Sequence, residues 1–196
     1  MADFALNVGA KIVPNLGSRI QGTDDLQQLS VDYPKSPLND DHMGLSQVLR
    51  AHVPHAGDRA PDAEVTDEAG RTTSLFPYIY NADGKTWGWS LLAFDGGKED
   101  TTTRLVSALA EVARWDWVRP RLVLAGPLVP KSEAGDAPVL SDLDGRAHGV
   151  YGLAGIPALI LVRPDGHIAF RGPAEKPELL KAYCKKVFGE APATVH

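Results

Sequence analysis

The chain has 196 residues, 43% of them hydrophobic, and a net charge of −5 from 20 basic against 25 acidic side chains. That length suits one domain with an extension; acids and bases are interspersed, with no basic run or RNA-binding aromatic motif, which excludes a nucleic-acid binder, and no apolar stretch approaches the ~18 residues of a membrane span. The single cysteine, Cys184, excludes an internal disulfide and fits a reducing compartment; without a basic start leading into a long apolar run, the expected location is the cytoplasm.

Residues 1–56 read as an irregular extension rich in Asn, Gly, Pro and Asp, with a β-like piece at Leu29 to Tyr33 and a short helix or linker from Leu45 to Val53. This part is too polar to fold alone. Its apolar residues (Phe4, Leu6, Ile12, Val13, Leu29, Val31, Tyr33, Leu38) would gain from burial against the following domain, a second copy or a partner. From residue 57 to 189 the pattern tightens. Gly57 to Asp62 is an entry turn, and Ala63 to Thr66 and Arg71 to Leu75 flank a turn at Asp67 to Gly70, which predicts a hairpin.

Trp87 to Phe94 ends in a run apolar enough for a central strand covered on both faces. A helix is predicted from Thr101 to Trp115, with Leu105, Leu109 and Val112 on one face and a threonine among residues 101–103 as cap. Leu122 to Ala125 reads as a buried strand, Pro127 to Pro138 as a loop and Asp142 to Tyr151 as a region with a short helix. After Ile156-Pro157 comes an apolar strand to Val162. Arg163 to Gly166 makes a tight turn in which Pro164 presets φ and Gly166 supplies φ > 0. A second strand spans His167 to Arg171, and a helix opens at Pro177 and stops at Gly189. Residues 190–196 read as a frayed tail.

This order resembles a thioredoxin-like α/β domain, a central mixed sheet flanked by helices, with the hairpin that peroxiredoxins also carry. The resemblance implies a cis bond at Ile156-Pro157. It also places a redox thiolate after the first core strand, at a helix N-terminus that lowers its pKa. Here that stretch, Asp95 to Thr102, holds no cysteine, and its threonines read as caps. Cys184 lies on the apolar stripe of the last helix and reads as a core thiol. A thiol peroxidase or oxidoreductase is therefore the disfavoured alternative.

Other candidate chemistry is thin. His52 and His55 form an HxxH pair without a carboxylate or cysteine set to complete a metal site, and read as solvated. His42, His148, His167 and His196 are scattered, with His167 expected to be exposed. Asp95-Gly96-Gly97-Lys98 fails the phosphate-loop spacing, and no GxGxxG follows an early strand. Asp142, Asp144 and Gly145 lack the later Glu of a calcium loop and read as a turn. Trp87, Trp89, Trp115 and Trp117 read as core, with a partner interface as the alternative. No catalytic, cofactor-binding or metal-ligating residue is assigned; the structural positions singled out are Ile156, Pro157 and Gly166.

Three segments carry a further resemblance: Tyr33-Pro34-Lys35-Ser36-Pro37-Leu38, Gly57-Asp58-Arg59-Ala60-Pro61-Asp62, and Val162-Arg163-Pro164-Asp165-Gly166 followed by His167 to Arg171. Their order and spacing resemble the end of the catalytic region and the C-terminal thioredoxin-like domain of FAD-dependent aromatic hydroxylases, the phenol hydroxylase-like flavoprotein monooxygenases. The family's FAD and substrate residues have no counterparts in this sequence, so no cofactor is expected on the chain itself. The resemblance implies a redox-inactive domain serving dimerisation, or association with a flavoprotein monooxygenase acting on phenolic or polyketide-like aromatics.

Overall fold

The computed structural model describes residues 36–44, 52–80, 88–130 and 134–191. The expectations for Phe4 to Tyr33, for most of Leu45 to Val53, for Trp87, and for all but the start of the tail lie outside these residues. In chain order the described elements are β1 (Asp40–Asp41), β2 (Glu64–Thr66), β3 (Thr72–Ser74), α1 (Phe76–Ile79), β4 (Trp89–Phe94), α2 (Thr102–Val112), β5 (Val118–Leu124), β6 (Val139–Ser141), α3 (Arg146–Val150), β7 (Ala158–Val162), β8 (Ile168–Pro173) and α4 (Pro177–Phe188).

The strands form one mixed sheet in the order β1-β8-β7-β4-β5-β6-β2-β3. β4 lies at its centre, parallel to β5 and antiparallel to β7. Alternation along β4 explains its unbroken apolar run. Leu91 and Ala93 enter a core with Leu105, Leu109 and Leu180 of α2 and α4. Leu92 and Phe94 enter a second core with Leu75, Ala147 and Tyr151 on the other face. Full burial of each such leucine or phenylalanine stabilises the fold by about 1.5–3 kcal/mol.

The part assigned to the extension is built into this sheet where it is described. β1 pairs in parallel with β8, Met43 is buried, and the Tyr183 hydroxyl donates to the Leu38 carbonyl at 2.7 Å. Two aspartates form this edge strand because β8 offers a free edge, not because of any apolar alternation. Arg171 of β8, fully buried, reaches back to Asp41 at 3.3 Å and contacts His55 Nδ1 at 3.2 Å. His55 thus faces the sheet edge, while His52 is exposed.

Four expectations need correction. The Ile156–Pro157 bond is trans, since no peptide bond among the described residues is cis. Gly152 and Gly155, at φ +68° and +77°, make the reversal before Pro157, and Ile156 N–H closes it on the Leu153 carbonyl at 2.9 Å. The peptide bond then keeps the trans form, favoured by about 0.5–1 kcal/mol before proline. α2 ends at Val112, short of Trp115, because the chain turns there and Trp115 N–H bonds to the Val112 carbonyl at 3.1 Å. Thr101 precedes α2 but does not cap it: its hydroxyl donates backward to the Lys98 carbonyl at 2.7 Å. His167 is buried, 4% exposed, because the entry segment folds over it. Arg59 bridges to His167, and Ala60 N–H bonds to the Gly166 carbonyl at 2.8 Å.

Gly166 has φ +83°, and a side chain there would run into the Tyr80 ring. The tryptophans within the described residues surround the end of α4. Phe188 meets Trp89 edge-on at 4.9 Å and Trp117 at 6.0 Å, with Trp115 at 6.4 Å. No helix of the described residues is long and apolar enough to cross a membrane.

Candidate functional site

Where β4 gives way to α2, the chain turns through Asp95-Gly96-Gly97. Gly96 is indispensable there: at φ +64°, an added Cβ would lie 2.5 Å from the Ile156 carbonyl carbon and 2.6 Å from the Pro157 nitrogen. The turn therefore sits directly against the loop before β7, and Gly155 N–H bonds to the Gly96 carbonyl at 3.0 Å. This is the place where the resemblance puts a thiolate. A buried histidine stands behind it instead.

His148 of α3 is 1% exposed. Its Nδ1 lies 2.7 Å from Asp142 Oδ2 and its Nε2 lies 3.1 Å from Asp95 Oδ1. The Asp142 carboxylate, 2% exposed, also accepts the N–H groups of Ala147 at 3.1 Å and His148 at 2.8 Å, so it closes the start of α3. Asp95 Oδ1 accepts the N–H groups of Gly97 and Ala125, each at 2.9 Å. Phe94 packs edge-on against the imidazole at 5.0 Å.

Burial alone would lower the pKa of His148. The bonds to Asp95 and Asp142 outweigh it and raise the pKa above the ordinary value. Burial would likewise raise that of Asp95, but the bonds from His148, Gly97 and Ala125 hold it below the usual carboxylate range. The favoured state is an imidazolium donating one proton to each carboxylate. In that state Nε2 cannot accept the Gly96 N–H, which approaches it at 3.3 Å; only the neutral ring would accept it.

This arrangement is unsuited to nucleophilic or acid–base turnover by His148, because both ring nitrogens are occupied and the ring has no access to solvent. Nor do the residues fit a flavin pyrophosphate at this turn. The Gly97 and Ala125 amides already serve Asp95, whose charge would repel a phosphate. Cys184 is fully buried on α4, and burial pushes its thiol up to about 12. No described group of three or more His, Cys, Asp or Glu side chains is arranged to hold a metal ion. In the sequence His148 stands among scattered histidines and Asp142 reads as a turn residue; the one local hint is the Asp142-to-His148 spacing before and within a short helix.

The chain has a thioredoxin-like fold, with no cysteine between Asp95 and Thr102. Among solved structures, the chain is similar to a peroxidoxin, BcpB, from Mycobacterium tuberculosis, at 15% identity and TM-score 0.51, covering 69% of this chain and 99% of that one. It is also similar to a putative thiol:disulfide interchange protein, DsbE, from Chlorobium tepidum, at 17% identity and TM-score 0.51, covering 68% and 97%. A cysteine-to-serine mutant of peroxiredoxin Q from Xanthomonas campestris gives 15% identity and TM-score 0.50, covering 63% and 90%. At these identities the likeness concerns the fold alone. No curated protein matches in sequence. Residues 53–191 match the family described as aromatic-ring hydroxylase, C-terminal, and the chain belongs to that family.

Proposed function

We propose that this chain is a redox-inactive association domain, joining a second copy of itself or the flavin-binding body of an aromatic hydroxylase. The observation that carries this reading is a pair of exposed apolar side chains beside α3. Leu143, in the turn before α3, is 65% exposed and Val150, at the end of α3, 40%, while Ala147 and Tyr151 are buried in the core. Large apolar groups left exposed beside a packed helix favour a protein partner over solvent. The family's printed description supports a hydroxylase as the setting. The rival thiol chemistry has no support in the site, since Asp95 and two glycines stand at the turn and the Cys184 thiol is buried.

Light scattering should test the reading on the wild-type chain and on a Leu143→Ser, Val150→Ser double variant. Wild type should self-associate or bind the flavin-binding body, and the double variant should lose this without losing its fold. Equal association by both proteins would move the interface elsewhere.

A further inference from the structure

A cavity of about 380 Å³ opens in front of the Asp95 turn, between the start of α2 and the loop after β5. Asp95, Gly97 and Thr102 form its polar side, and Leu124, Pro127 and Val129 are among the residues of its apolar side. Asp95 is 8% exposed and splits its carboxylate between two tasks. Oδ1 takes all three structural bonds, from Gly97, Ala125 and His148, while Oδ2 has no hydrogen-bond partner among the described residues. The Thr102 hydroxyl on the same wall is also unengaged among them, in contrast to Thr101, which is bound back to the turn. Oδ2 is not among the sealed, unsatisfied atoms of the interior, so a molecule entering the cavity can reach it as an acceptor.

We propose that this cavity binds a small neutral molecule with a hydroxyl group on an apolar body, the hydroxyl donating to Asp95 Oδ2 and pairing with Thr102. The charge distribution selects that class. An anion is repelled by the carboxylate. A cation is disfavoured by α2, eleven residues long, which presents its positive end beside Thr102. A neutral hydroxyl needs only an acceptor and a wall, and both are present. The volume falls within the range of small-ligand sites, roughly 300–1,000 Å³. His148 acts as a positioning residue: by holding Oδ1 inward it leaves Oδ2 turned to the cavity. This site is independent of the association surface beside α3.

The test is an amide-resonance NMR titration of the full chain near neutral pH with benzyl alcohol, benzyl methyl ether and benzylamine. These probes share a ring and differ in the group offered to Asp95. Benzyl alcohol should shift the Gly97, Thr102 and Ala125 amides saturably. The ether should bind about tenfold more weakly, the share of one hydrogen bond to a charged acceptor, and benzylamine no better than the alcohol. Asp95→Asn can keep an oxygen inward and turn its NH2 to the cavity, which should abolish the preference for the alcohol over the ether. Thr102→Val, on the cavity rim, should weaken alcohol binding without disturbing the fold, and decides the matter if Asp95→Asn does not fold. Equal binding of alcohol and ether, tighter binding of benzylamine, or no saturable shift would overturn the proposal.

Discussion

Replacing His148 with leucine removes the cation and leaves two carboxylates on either side of an apolar side chain. Asp142 is 2% exposed and Asp95 8%, so water can replace little of the lost partner. Removing one member of a buried, hydrogen-bonded ion pair costs about 3–5 kcal/mol. The lower end applies, because Asp142 keeps the N–H groups of residues 147 and 148, and Asp95 keeps those of Gly97 and Ala125. At about 2–4 °C per kcal/mol for a chain of this size, a loss of about 3 kcal/mol lowers Tm by roughly 6–12 °C.

The pH dependence should change as well. In wild type, Asp95 titrates below its ordinary value, so its contribution is present above the unfolded pKa and is lost as pH falls through the folded one. His148 titrates above its ordinary value, so its contribution is complete below the unfolded pKa and is lost as pH rises through the folded one. Between those limits both contributions coexist. In the leucine variant Asp95 loses the bond from His148 that lowers its pKa, so stability should fall less on acidification than in wild type. Thermal unfolding followed by circular dichroism across the acidic and neutral range measures both effects. A loss below about 1 kcal/mol, the scale of an exposed ion pair, with an unchanged pH profile, would mean that His148 is not a buried partner of the two carboxylates.

Gly96→Ala places a Cβ against the backbone of Ile156 and Pro157 at positive φ, where neither side can yield. It should cost more than about 2 kcal/mol in denaturant unfolding. Cys184→Ala should cost on the order of 1 kcal/mol through lost packing, and wild-type Cys184 should resist thiol reagents until the chain unfolds; labelling of the native protein would contradict its burial. The purified chain should be colourless and take up no FAD on equilibrium dialysis, since the amides of Gly97 and Ala125 are already bound to Asp95; stoichiometric uptake would contradict that reading.

The regular elements were legible where one side chain after another enters a core. The apolar run of β4 marked the sheet centre, the spacing of Leu105, Leu109 and Val112 marked α2, and Pro177 and Gly189 bracketed α4. Strand β1 was not legible, because Asp40 and Asp41 carry no strand signal and owe their conformation to β8. The burial of His167 was hidden for a similar reason: its cover comes from Arg59 and Ala60, far away in the chain. The site was harder still. Asp95 and His148 are 53 residues apart and lie on different elements, so only the folded sheet brings them together. Their residue types were visible; their meeting was not.

The proposed role of the domain is association and not thiol chemistry. Sedimentation velocity of the wild-type chain at micromolar concentration, alone and mixed with the flavin-binding body of an aromatic-ring hydroxylase, tests it most directly. Wild type should give a dimer or a stoichiometric complex, and Cys184→Ala should form it equally well. A monomer that binds nothing, or an assembly that depends on Cys184, would contradict it.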